Sequence, residues 1–107
     1  SYYRGAAGVI VVYDVARPDT FEKVAQWVEE ARRYGNRENV VAVVGNKCDR
    51  ADRMVTAEQG QQYAKEIGAL FFETSAKTGQ NVDLLFTQVA DEILRNVLVG
   101  RIQLESE

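Results

Sequence analysis

Histidine is absent from this chain of 107 residues, cysteine occurs once and proline once. Without histidine the commonest general base and the commonest metal ligand are missing, so Ser-His and Cys-His catalysis is excluded. One thiol, Cys48, closes no internal disulfide and builds no cysteine metal cage. It reads as a small adaptable residue in a reducing compartment and is assigned no role. No apolar run approaches the ~18 residues of a membrane span, and no basic-then-apolar leader opens the chain, so a cytoplasmic location is expected. A basic field is missing as well. The 13 Lys and Arg are scattered among 16 Asp and Glu, with a formal charge of -3 and a pI near 5.0, which argues against a nucleic acid polymer as partner. The last absence is a Gly-x-x-x-x-Gly-Lys-Ser/Thr loop, the sequence that cradles nucleotide phosphates and Mg²⁺. No residue is assigned as catalytic or as a metal ligand.

What remains is a composition of 46% hydrophobic and 27% charged residues, which fits a single domain over residues 1–107 with a C-terminal tail from about residue 97. Residues 9–13, 40–44 and 70–72 are apolar runs rich in β-branched or aromatic side chains and read as buried strands. Helical patterns lie between and after them. Phe21, Val24, Val28 and Ala31 recur on one face, widened by Trp27, with Pro18 and Asp19 opening the helix and Gly35 closing it. Thr56 and Gln59 form a capping-box pattern for a second helix that carries Tyr63, Ala64 and Ile67 and ends at Gly68. Asn81 reads as the N-cap of a third, whose apolar face holds Val82, Leu85, Phe86, Val89, Ala90, Ile93 and Val97. Trp27, Tyr63 and Phe86 are expected in the core.

The order strand, helix, strand, helix, strand, helix points to an α/β fold with an open parallel sheet and flanking helices. Right-handed crossovers put the first two helices on one face and the last on the other. One helix on a three-strand face leaves apolar surface open, and the first strand presents an unpaired edge through which self-association is expected.

Two polar loops fall where apolar strands end, Asn46-Lys47-Cys48-Asp49 and Ser75-Ala76-Lys77. In open parallel sheets ligands sit beyond the carboxyl ends of the strands. The Asp49 carboxylate can accept two hydrogen bonds from the N1-H and 2-amino group of guanine, a contact adenine cannot reproduce. Asn46 can bond the acceptor edge of the base or brace the second loop. Lys47 can lay its aliphatic stem along the purine face, and the Ala76 N-H can reach guanine O6, with Ser75 and Lys77 shaping and covering the pocket. Sites built on such bonds discriminate by roughly 10⁴ to 10⁵. Glu73 reads as a loop-bracing carboxylate, and Arg50, Asp52 and Arg53 as a solvated charged run.

These loops resemble those of the Ras superfamily of small GTPases. Tyr2-Tyr3-Arg4-Gly5-Ala6 and Val11-Val12-Tyr13-Asp14-Val15 resemble segments of its Rab branch, and Glu73-Thr74-Ser75-Ala76-Lys77-Thr78 is especially similar, the wording being nearest to endosomal Rabs. The resemblance runs from Ser1 to about Asn96 and covers the C-terminal half of a P-loop NTPase-type G domain, three strands and three helices. It implies a GTP/GDP switch in vesicle trafficking, with Rab effectors, exchange factors and GTPase-activating proteins as partners. The phosphate-binding loop, the first switch with its Mg²⁺-binding Thr and the Asp-x-x-Gly segment with its Gln would belong upstream of Ser1, so Mg is expected only in the intact parent. Residues 1–107 alone are expected not to hydrolyse GTP measurably. Tyr2, Tyr3 and Arg4 would lie after the second switch as a partner contact. Residues 101–107 carry no cysteine of the prenylated kind, so an endomembrane anchor belongs to an intact prenylated parent. The competing reading is a catalytically inert truncated G domain that serves as an interaction or dimerisation module.

Overall fold

The computed structural model describes residues 7–34 and 39–98. Strands β1 (Gly8–Asp14), β2 (Val40–Asn46) and β3 (Leu70–Thr74) are parallel and lie in the order β1-β2-β3. Their register aligns Asp14 with Asn46 and Asn46 with Thr74, so the three strands end in one row. Central β2 is buried along six consecutive residues, whereas β1 alternates, with Val11 and Tyr13 buried and Val12 54% exposed between them. A strand with neighbours on both sides and helices above and below has no wet position; an edge strand does.

The first helical pattern is realised in two pieces, α1 (Pro18–Glu22) and α2 (Val24–Tyr34), joined at Lys23. Pro18 presets the first turn of α1, and the Thr20 hydroxyl accepts from the Asp14 N-H at 2.9 Å, which ties the helix start to the end of β1. The capping box of α3 (Ala57–Ile67) is complete: Thr56 Oγ1 accepts from the Gln59 N-H at 3.1 Å and Gln59 Oε1 from the Thr56 N-H at 2.9 Å. Gly68 closes that helix at φ 70, a left-handed conformation that a side chain would strain. An Arg32 guanidinium N-H reaches the Ile67 carbonyl at 2.8 Å and ties α2 to the α3 C-terminus. The last helix, α4, runs Val82–Leu98 and so continues into the expected tail. Asn81 precedes it but does not cap it. Its φ is 61, and its side-chain amide donates instead to the Glu73 carbonyl at 2.8 Å.

As the crossover rule requires, α2 and α3 cover one face and α4 the other. Under α2 and α3, Val11, Tyr13, Val15, Val41 and Val43 meet Val24, Val28, Val55 and Ala64, with Phe21, Tyr63 and Phe71 packed against them. Under α4, Ala42, Val44 and Phe72 meet Leu85 and Val89. The expectation that Trp27 and Phe86 are core residues is corrected here, for they are 46% and 59% exposed. Trp27 borders a shallow groove along β1, which no further described strand flanks. Phe86 lies on a helix seated over β2 and β3, so part of its apolar face has no sheet beneath it. Gly35, Tyr2, Tyr3, Arg4 and the residues beyond Leu98 lie outside the described residues. No described helix is long and apolar enough to cross a membrane.

Candidate functional site

The row of strand ends fixes the site. Beyond β2 the backbone turns at Lys47, φ 66, a left-handed conformation in a residue with a Cβ, which costs of order 1 kcal/mol. The turn is held on its far side, where the Cys48 N-H donates to the Thr74 carbonyl at 3.2 Å and the Arg50 N-H to the Lys47 carbonyl at 3.0 Å. The loop after β3 closes through the Ser75 N-H to the Gln80 carbonyl and the Gly79 N-H to the Ser75 carbonyl, at 3.2 and 2.7 Å.

Side chains then stitch the two loops together. Ser75, with no solvent exposure, donates its hydroxyl to Asp49 Oδ1 at 2.7 Å and accepts from the Thr78 N-H at 3.2 Å. The Thr74 hydroxyl makes a longer contact of 3.4 Å to Asn46 Oδ1. Ser75 therefore fixes the rotation of the Asp49 carboxylate, and this hydrogen bond, reinforced by the charge of Lys77, holds the carboxyl below the ordinary carboxylate range. Around it opens a cavity of about 390 Å³ lined by Asn46, Lys47, Asp49, Arg50, Ala76 and Lys77. That volume falls in the range of small-molecule sites. The residues singled out for the base in the two loops thus meet around one cavity, except Ser75, which stands behind Asp49 as its orienting donor.

Three charged residues play parts that the sequence did not assign. Asp14, at the end of β1, accepts the Lys47 ammonium on Oδ2 at 2.8 Å and the Ala16 N-H on Oδ1 at 2.9 Å. The Lys47 hydrogen bond lowers its carboxyl pKa. Lys47 therefore lines the cavity with its ammonium tied to the end of β1. The signal available was the register that sets Asp14 beside Asn46, which a chain read in one dimension does not display.

Arg53 corrects the reading of a solvated run. Its guanidinium grips Glu73 by two bonds of 2.6 and 2.7 Å and also donates to the Val55 carbonyl at 3.0 Å, all partly buried. Glu73 does brace the loops, through this partner, and the pairing raises the Arg53 pKa. Arg50, from the same run, lines the cavity.

The model of the Ras family matches residues 1–95, most of the chain.

Proposed function

The chain belongs to the Ras family of small GTPases, and we propose that its two strand-end loops read the guanine base of GTP and GDP. One observation carries the reading. A carboxylate, Asp49, rotated into place by a buried serine, shares a cavity with Ala76, Asn46, Lys47 and Lys77. Asp49 Oδ1 already serves Ser75, and each carboxylate oxygen has two acceptor positions, so the group can still take the paired donors of guanine. Lys47 supplies a wall and the Ala76 amide a donor for O6. We assign base recognition, not phosphoryl transfer, to these residues. Transfer requires groups that hold the phosphates and Mg²⁺, and residues 1–107 contain no Gly-x-x-x-x-Gly-Lys-Ser/Thr sequence.

The finer assignment is a Rab-type switch acting in vesicle traffic at the cytosolic face of endomembranes. It rests on the Tyr2-Tyr3-Arg4-Gly5-Ala6 and Val11-Val12-Tyr13-Asp14-Val15 segments, with Tyr2, Tyr3 and Arg4 as a contact for effectors and exchange factors. A second reading, an interaction module that self-associates, is favoured by the outer edge of β1, which no other described strand pairs, and by exposed Val12 and Trp27 beside it. Sedimentation of the chain across a concentration series tests it: a monomer throughout removes the second reading.

The base pocket is tested by Asp49→Asn. The amide offers a donor where xanthine presents a C2 carbonyl, so GDP affinity falls by about 10- to 100-fold and xanthosine diphosphate becomes the better competitor in a fluorescent-nucleotide displacement assay. An unchanged preference removes Asp49 from this role. Because the Ser75 hydrogen bond depresses the Asp49 pKa, the carboxylate stays ionised at neutral pH, and base binding is lost only on acidification through that lowered pKa.

A further inference from the structure

The cavity between the two loops has one wall that the base reading leaves without a task, Arg50. Its backbone N-H is bonded to the Lys47 carbonyl, so its place follows from the left-handed turn that builds the loop. Its guanidinium is gripped side-on by Asp52, Nε to Oδ1 at 2.8 Å and a terminal nitrogen to Oδ2 at 2.7 Å. Both side chains are about half exposed, 47% and 58%. An ion pair so wet contributes little to folding. What a two-point grip between residues so close in sequence does supply is orientation: it converts a long flexible arginine into a plate of fixed plane in the lining of the cavity. A guanidinium is flat, weakly hydrated and always charged, and it stacks on aromatic rings in a way that an ammonium does not.

We infer that Arg50, held by Asp52, contacts the purine itself and closes the pocket through its guanidinium plane, so that the ligand is gripped as a flat base independently of its phosphates. This rests on the base-recognition reading above. Lys47 and Arg50 then serve the same ring by different means, one through an aliphatic stem anchored on Asp14, the other through a plate anchored on Asp52.

The test uses guanosine, which carries no phosphate, and GDP, with xanthosine as the control for base preference, titrated by calorimetry into the unaltered chain, Arg50→Ala, Arg50→Lys, Asp52→Asn and Asp49→Asn. Arg50→Ala is expected to weaken both ligands by the same factor, about 5- to 10-fold, without moving the thermal midpoint, and Arg50→Lys is expected to leave the loss in place. Weakening of GDP alone, or full recovery with lysine, means a charge acting on phosphate and overturns the inference. Unchanged affinities in Arg50→Ala, while Asp49→Asn turns the preference towards xanthine, overturn it and leave the base pocket standing. If Asp49→Asn leaves the base preference untouched, the base reading fails and Arg50 falls with it. Asp52→Asn unpins the plate without removing it and should lose about 2-fold; binding equal to that of the unaltered chain overturns the pinning.

Discussion

The two faces of the sheet are packed to different standards. Under α2 and α3 every inward position of β1 and β2 from Val11 to Tyr13 and from Val41 to Val43 is buried, and the aromatic rings interlock. Tyr13 and Phe21 lie 4.8 Å apart between centroids, and Phe21 and Tyr63 lie 6.1 Å apart, edge on. Under α4 the cover reaches Ala42, Val44 and Phe72 but leaves Val12 and Phe86 in water. Two helices close a three-strand face and one does not. The site lies at the strand ends, beside the closed face: Val15, fully buried there, accepts both the Met54 and the Val55 N-H on its carbonyl, and Arg53 between Asp49 and Val55 reaches across to Glu73.

The largest test of this contrast sets two phenylalanines against each other. Phe72 is 8% exposed beneath α4 and Phe86 is 59% exposed on it. Phe72→Ala should cost about 3–5 kcal/mol in denaturant unfolding, and Phe86→Ala should change stability by less than about 0.5 kcal/mol. Similar costs would mean that the α4 face is as closed as its opposite.

This unevenness is also where reading the sequence stops short. Residues 9–13 and 40–44 are equally apolar, and nothing along the chain separates an edge strand from a central one; the difference is made by neighbours that each strand meets only on folding. The Thr56–Gln59 cap and the Gly68 stop were legible because their hydrogen bonds are local. Asn81 was misjudged because its amide finds a better acceptor eight residues away, at Glu73. The gathering of Asn46, Lys47, Asp49, Ala76 and Lys77 followed from element order, since alternating strands and helices put both loops at the same end of the sheet. The partners that hold them were not legible. Asp14 is 33 residues from Lys47 and Glu73 is 20 from Arg53, and a charged residue in a polar run shows no sign in sequence of being paired rather than solvated.

Tyr13 sharpens the comparison from the closed side. Its hydroxyl is buried with no hydrogen-bond partner among the described residues, and burial, together with the Glu73 charge, pushes its pKa up to about 12. A group whose pKa is raised on folding contributes stability that is complete below its unfolded value, near 10, and lost as pH climbs to the folded one. The alkaline loss should reach about 2 kcal/mol by pH 12. Tyr13→Phe should remove that component of the alkaline limb and, because the hydroxyl satisfies nothing, leave stability at pH 7 unchanged or slightly higher. An alkaline limb identical in Tyr13→Phe would place the titration elsewhere and the hydroxyl in water.

The smallest expected effect is the most discriminating, because one substitution is made on each face. A Cβ built at Gly60, inside α3, would run into the Tyr13 hydroxyl and the Phe71 ring, with Phe71 Cζ at 2.8 Å. Both are rigid aromatics wedged in the closed face, so overpacking of about 1–3 kcal/mol should outweigh the gain of up to about 1 kcal/mol that alanine brings to a helix interior. At Gly8, on the α4 face, the new Cβ would meet Ile93 Cδ1 at 2.7 Å, with Val89 Cγ1 at 3.5 Å. The close atom there is the tip of a side chain that can swing towards open space, and Gly8→Ala should stay within about 1 kcal/mol of the unaltered chain. Adding Tyr13→Phe to Gly60→Ala should recover only part of the loss, since it removes the hydroxyl oxygen and leaves the Phe71 contact in place. Thermal melts of the four chains decide the matter: if Gly60→Ala is tolerated as well as Gly8→Ala, the two faces give way equally, and the rigidity assigned to the side next to the site is not there.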